Sequence, residues 1–391
     1  MKIAVLKLNK NKKILSKINS YKKQIFITIF LLTFSLLFVI NSSKYISVTI
    51  DGILLYGTKI LPTLLPFFFV TKILSNFNFI YAVCNQFSFL TKLLFNTKAI
   101  SSYIFFMSII SGYPVGAKLT TEFYENKIID KNDAQKILSF CSTSGPLFII
   151  GTVGVGFFYN QFLGIIIFLI HVISSILNGI IYRNLGSRKI VKFSSKKGVK
   201  NDGKIDDNFN AKLDEKIDVK HDKNLCQNLD ENLVKNNSNI IKNLNIENTK
   251  INDKNFSLQE CMYSSIQSVL IVGGYIIIFY VLIQILLDYN ILSPLINLLN
   301  LLGLPPIQSK GLCAGLIEIT KGISILSTSS NIKLNFIISN FLISFSGVSI
   351  LMQANAFLDK ININKKLYVL QKFTHGVISL VLSIIVSLFI F

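Results

Sequence analysis

Ser111-Gly112-Tyr113-Pro114-Val115-Gly116-Ala117-Lys118 and then Cys141-Ser142-Thr143-Ser144-Gly145-Pro146 interrupt stretches that would otherwise read as plain membrane helices. Their counterparts further on are Gly311-Leu312-Cys313-Ala314-Gly315-Leu316-Ile317-Glu318 and Ser344-Phe345-Ser346-Gly347-Val348-Ser349. Each half thus shows G-x-x-x-G, a helical stretch and then Ser-Gly, with 29 residues from Gly116 to Gly145 and 32 from Gly315 to Gly347. Peptide groups in lipid must be satisfied internally, so such interruptions persist only inside protein or along a wet cavity. Paired interruptions in two halves point to a transporter-type site. The competing reading is that small residues merely let helices approach closely.

The surrounding composition fits a membrane setting. Of 391 residues 51% are hydrophobic, the mean hydropathy is +0.54, and there are 32 Phe and no Trp, which excludes an ordinary soluble domain. Apolar segments fall near 24–40, 46–74, 79–95, 99–117, 134–158, 162–182, 264–287, 291–304, 309–327, 334–352 and 367–391. Those near 111–118, 142–148, 311–318 and 344–349 read as broken or re-entrant, leaving about eight full crossings, give or take two, of a core that needs about 20 residues each. The fold class expected is all-α, a polytopic membrane helix bundle with two repeats containing broken or re-entrant helices.

Charge divides the chain. Residues 1–23 carry eight lysines and no acid, and the apolar run 24–40 ends Val39-Ile40-Asn41-Ser42-Ser43-Lys44, a poor cleavage site. This reads as a basic cytoplasmic tail and a retained first helix. Residues 186–256, rich in Asn, Lys and Asp, read as a disordered charged linker. Its start, Arg183 to Lys200, has seven positive charges and no acid, which makes it cytoplasmic as well. The first membrane half is then 24–185 and the second 257–391. The net charge of +20 belongs to this topology, and no nucleic-acid partner is expected. Five scattered cysteines (Cys84, Cys141, Cys226, Cys261, Cys313) give neither a disulfide framework nor a metal site, and no cofactor is expected. There is no G-x-S-x-G, H-E-x-x-H, P-loop or dinucleotide fingerprint, and His171, His221 and His375 are isolated, so an enzyme is not expected. His171, in an apolar helix, is expected to bond a neighbouring helix.

The candidate site follows from the breaks. Ser142-Thr143-Ser144-Gly145-Pro146 suits a half-helix starting in mid-membrane, since proline tolerates the first turn and Ser or Gly precedes it as cap. Its bare amides and positive dipole end would favour an anion; Ser346-Gly347 would begin the matching half-helix. Ser111, Gly112, Tyr113, Pro114 and Gly116 form the other edge, Lys118 either meets the anion or snorkels to a headgroup, and Gln353 offers an amide. Glu318 is an acid within an apolar run. It either pairs with Lys321 on one helix face, with Thr320 beside them, or couples movement to protons or sodium, or lies at the interface. Asp51 and Lys59 are placed near the interface, and Asp133 as the cap of the helix that contains Cys141.

At Leu61-Pro62-Thr63-Leu64-Leu65-Pro66-Phe67, at Ser111 to Lys118, at Cys141 to Pro146 and at Gly315-Leu316-Ile317-Glu318-Ile319-Thr320, the chain resembles the YlbJ (SpoVV) family of sporulation integral membrane proteins. The resemblance implies nucleoside-recognition Gate modules and a place in the outer forespore membrane of an endospore-forming bacterium. It also implies movement of dipicolinic acid, a small planar dicarboxylate, with a distant likeness to concentrative nucleoside transporters. Two departures stand out: Ser346-Gly347-Val348-Ser349 replaces an expected Gly-Gly-hydroxyl run, and 186–256 is long. The rival expectations are a non-transporting scaffold for spore-envelope assembly and a nucleoside carrier. Deletion of residues 200–250 separates the first, which should lose function, from a transporter, which should hardly notice.

Overall fold

The computed structural model describes residues 21, 24–25, 27–74, 79–185 and 257–391. Apart from Tyr21, the basic tail read over 1–23 lies outside the described residues, and the linker read over 186–256 does so entirely. Every regular element among the described residues is helical. The first half comprises α1 (Ile27–Ile40), α2 (Ser42–Leu55), a π turn Tyr56–Ile60, α3 (Leu61–Leu74), α4 (Phe79–Phe95) and α5 (Ile100–Ser111), then α6 (Val115–Glu125), α7 (Lys131–Phe140), α8 (Leu147–Phe157, wound as a π-helix) and α9 (Gln161–Tyr182). The second comprises α10 (Leu258–Asp288), α11 (Ser293–Leu301), α12 (Pro306–Ile317), α13 (Ile319–Leu326), α14 (Ile332–Phe345), α15 (Gly347–Leu358) and α16 (Lys365–Ile390).

Four stretches are long and apolar enough to cross a membrane: α9, α10, α14 with α15, and α16, at 22, 31, 27 and 26 residues. Two bent pairs, Ile27–Ile40 with Ser42–Ile60 at 104° and Gln86–Phe95 with Ile100–Ser111 at 94°, raise the number to six if each is one span. Among the described residues the count thus lies at or below the lower edge of the expected eight, give or take two. The reason is length: α6, α7, α8, α12 and α13 have only 11, 10, 11, 12 and 8 residues, about half of what a crossing needs.

All four expected interruptions are present. α5 stops at Ser111 and α6 starts at Val115; α7 stops at Phe140 and α8 starts at Leu147; Glu318 alone separates α12 from α13; Ser346 separates α14 from α15. Around the breaks the chain turns on short polar caps that the sequence spells out. Asn160, Asn331 and Asn364 each accept the N–H three residues on, from Leu163, Leu334 and Leu367, satisfying one orphan donor of the helix that follows. The cap of α7 is Asp130, whose side chain accepts the Asp133 N–H at 2.8 Å. The expectation for Asp133 is thus corrected: it is the donor, three residues inside the cap.

The two halves interlock rather than sit side by side. First-half residues Ile137, Phe140 and Cys141 share a core with Leu351, Leu358 and Tyr368 of the second half. Conversely Ile149, Val153, Ile167 and Ile170 pack with Ile319, Ile323, Phe336 and Ile343. α10 lies against the N-terminal helices: the Tyr56 hydroxyl donates to the Val269 carbonyl at 2.9 Å, and Lys44 pairs with Asp288 at 2.7 Å. Since lipid tails are as apolar as leucine, close packing and interhelical hydrogen bonds hold such a bundle together.

Candidate functional site

The first-half breaks meet back to back. Gly112 has φ +73°, which only glycine adopts without strain, and a Cβ there would lie 2.6 Å from the Gly145 nitrogen. Gly116 faces the Cys141 carbonyl so closely that a Cβ would also lie 2.8 Å from both the Cys141 carbonyl carbon and the Ser108 hydroxyl. The same Ser108 hydroxyl donates to the Cys141 carbonyl and lies 2.8 Å from the Thr143 hydroxyl. Residues 142–145 are unwound, as expected, and a helix starts directly after them. It winds as a π-helix, which the sequence reading did not foresee. Lys59 holds the far end of α8, donating to the Gly156 carbonyl at 2.8 Å with its ammonium 4.5 Å from the Phe157 ring. A cation at a helix C-terminus is favourable, and this lysine serves helix α8.

In the second half Glu318 is extended (φ −143°, ψ 120°) and caps α13. Its Oε2 accepts the Lys321 N–H at 2.8 Å and the Thr320 hydroxyl. The expected side-chain pair with Lys321 does not form; that ammonium lies 3.6 Å from the centre of the Tyr280 ring instead. The helical face shared by i and i+3 is broken here, because Glu318 itself is not helical. Ser346 is left-handed (φ +80°), Gly347 follows at φ +68°, and a Cβ on Gly347 would sit 3.0 Å from the Gly315 carbonyl oxygen.

A cavity joins the two sets of breaks. Ser111, Gly112, Tyr113, Ser144 and Gly145 line it from the first half, and Glu318, Thr320 and Gln353 from the second. Phe68, Phe148, Val272 and Ile276 supply apolar wall. Its volume is about 60 Å³, room for roughly four waters at about 15 Å³ each. Ser111, Ser144 and Gln353 are 6%, 4% and 5% exposed, yet their side chains meet no protein partner among the described residues. Buried polar groups are normally satisfied, so these three are available to a polar solute or water in that space. At the start of α8 the Ile149 N–H donates to the Gly145 carbonyl at 3.2 Å, and Gly145, Leu147 and Phe148 line the same space. The α13 end differs: Glu318 already supplies an anion to it. The α8 end has no side-chain cap, whereas the α13 end carries its own carboxylate.

Several expected site residues stand one layer back. The Ser142 hydroxyl lies 2.8 Å from the Tyr368 hydroxyl, and Thr143 is held by Ser108. Pro114 and Pro146 occupy the N-cap positions of α6 and α8, and Gly116, Ser346 and Gly347 shape backbone crossings. Lys118 does not reach the cavity: 40% exposed, it sits 3.8 Å from Glu122, one turn along its own helix. The cation at the breaks is Lys372 on α16, which the sequence reading missed. Its ammonium donates to the Ser142 carbonyl at 2.7 Å and the Tyr113 hydroxyl at 2.8 Å, and lies 3.4 Å from His375 Nδ1. His171 bonds a neighbouring helix as expected, through Ser344 at 2.8 Å, and its Nε2 accepts the Ser144 N–H at 2.9 Å. A signal was available: Lys372 and His375 are ionisable residues inside an apolar run, and intramembrane ionisables mark functional sites.

The chain is 27% identical over 331 residues to the "Sporulation integral membrane protein YlbJ" of Bacillus subtilis (strain 168), a match covering 83% of this chain and 73% of that protein. No family model and no solved structure matches the chain.

Proposed function

We propose, for a chain that this likeness assigns to the YlbJ family of sporulation integral membrane proteins, that it carries a small planar solute through the cavity between its broken helices. The observation that carries this reading is the trio Ser111, Ser144 and Gln353, buried and unpartnered around a space shared by both halves. In a membrane interior such groups are retained where they serve a solute. Dipicolinate is the solute the family resemblance favours, and the outer forespore membrane the place. One carboxylate would meet the α8 amides, where an anion gains about 0.3–1 kcal/mol, or up to about 2 when partly buried. The other would approach Glu318, and two carboxylates at one site cannot both stay charged. The solute would therefore bring a proton, or a monovalent cation, with it. A volume of about 60 Å³ holds water rather than a planar dicarboxylate, so binding requires the breaks to part.

Glu318 also favours a second reading. A carboxylate on the wall suits a neutral solute with hydroxyl donors, such as a nucleoside. Protection against thermal unfolding separates the two, since uridine should stabilise a nucleoside carrier and dipicolinate an anion carrier. The direct test is uptake of labelled dipicolinate into vesicles under proton and sodium gradients. Gly145→Leu should reduce uptake by about tenfold or more, because the side chain would press on the Ile110 carbonyl, 3.2 Å from a Cβ at that position. Lys118→Ala should change uptake less than about threefold, since exposed ion pairs contribute about 0–1 kcal/mol. Vesicles that take up nothing under any gradient would remove the carrier reading.

A further inference from the structure

Two chains of hydrogen bonds run from the first-half break to the second-half break. The first passes through α9. A backbone N–H only donates, so His171 Nε2, 2.9 Å from the Ser144 nitrogen, is an acceptor. The ring proton is then on Nδ1, which donates to the Ser344 hydroxyl at 2.8 Å. The second crosses through Tyr113 itself, which Lys372 on α16 ties to Ser142. Lys372 donates to the Ser142 carbonyl and to the Tyr113 hydroxyl, and Tyr113 in turn donates to the Ile343 carbonyl at 3.2 Å. His375 closes the arrangement: Nδ1 faces the Lys372 ammonium, and Nε2 lies 3.0 Å from Ser174, whose hydroxyl donates to the His171 carbonyl at 2.9 Å. All three Lys372 donors are thereby engaged by protein, which leaves none for a solute. His171, Lys372 and His375 are each at most 1% exposed.

We propose that His171 and Lys372 are positioning residues that set the spacing between Ser142–Ser144 and Ile343–Ser344, so that loosening one break loosens the other. Mere packing does not require this wiring. An apolar side chain would fill either place, whereas here each donor and acceptor is matched across the halves, and Tyr113 stands both in the bridge and on the cavity wall. The proposal rests on the reading of that cavity as the solute site, but its test needs no solute.

The test is amide hydrogen exchange of the full chain in lipid nanodiscs, read peptide by peptide. Ser344→Ala removes the acceptor of His171 in the second half. The readout is the first-half segment 142–148, about 200 positions away in sequence. Exchange there should rise about tenfold, roughly what one buried hydrogen bond sustains, while α10 peptides stay unchanged. His171→Leu should raise exchange at both 142–148 and 343–349. His171→Gln, which keeps one acceptor and one donor, should restore most of the protection. Lys372→Met should give the same double loosening through the other bridge. Should a bridge variant fail to fold, Ser344→Ala decides alone, because it deletes one buried hydroxyl and no bulk. Exchange that stays local to 343–349 in Ser344→Ala overturns the proposal, and so does a rise spread evenly over all peptides. If dipicolinate uptake is absent while the exchange result holds, the carrier reading fails and the bridge stands.

Discussion

Gly116→Ala should leave little folded protein. The added carbon would fall on the Cys141 carbonyl, with the carbonyl carbon and the Ser108 hydroxyl each 2.8 Å away. Backbone cannot rotate aside as a side chain can, so α6 would have to separate from the 141–145 segment. Overpacking in a filled core costs about 1–3 kcal/mol, occasionally more, and here it would also break the Ser108 bond to the Cys141 carbonyl. The measurement is the fraction of monodisperse protein after extraction, together with the unfolding temperature of what remains. Gly274→Ala is the matched control: it lies in α10, where an added Cβ meets nothing within 4 Å. The control should behave as wild type, or gain slightly from alanine's better helix propensity. Equal behaviour of the two variants would mean that α6 and the first-half break do not pack as described.

Replacing Glu318 should have the largest effect on activity. The residue does two things that different substitutions separate. As the cap of α13 it satisfies the Lys321 N–H and takes the Thr320 hydroxyl. As the carboxylate on the cavity wall it sets the charge a solute meets. Glu318→Ala removes both, and loss of a cap alone costs about 0.5–2 kcal/mol. Glu318→Gln keeps an oxygen for the cap but removes the charge. Both variants should lose dipicolinate uptake by about a hundredfold, the size of losing a buried charged hydrogen-bonding group. Only Glu318→Ala should also lower the unfolding temperature appreciably. In Glu318→Gln the residual uptake should no longer respond to a proton gradient. A glutamine variant that transports as well as wild type, with the same gradient dependence, would leave the carboxylate as a cap and nothing more.

Much of this was legible before any coordinates. Gly112, Gly145, Glu318 and Ser346 each sit at or beside an interruption that the sequence predicted, since unwound backbone in an apolar run needs glycine, proline or a side-chain oxygen nearby. The likeness between the halves also survives in outline, with differences that sequence could not show. Gly315 sits inside an unbroken α12, packed on Leu342 and on Gly322 of the hairpin that folds back beside it. There the small residue serves helix approach, the very reading that competed with the break. In the first half Gly116 likewise permits a close crossing, while the break itself is at Gly112 to Pro114. The count of crossings falls at or below the lower edge of the expectation because apolar segments such as 99–117 and 134–158 look continuous in composition but fold into pieces of about ten residues.

Charged residues show the same division. Lys118 lies two residues past Gly116 and invited a role at the anion, yet its helix turns that face outward to Glu122. Lys372 lies 259 positions from Tyr113 and still holds it. Which side of a helix meets the site depends on its neighbours, and those come from the opposite half.

By itself the sequence determined that this chain is a helical membrane protein with paired interruptions, and it marked the acid, the hydroxyls and the amide that face the cavity. Residue type alone carries that information, because lipid tolerates neither bare peptide groups nor stray charge. The tertiary structure decided that Glu318 fills the α13 half-helix end. It also decided that His171 and Lys372 tie the two halves together. Those outcomes depend on how the halves interlock, a matter of contacts between residues hundreds of positions apart that no local pattern records.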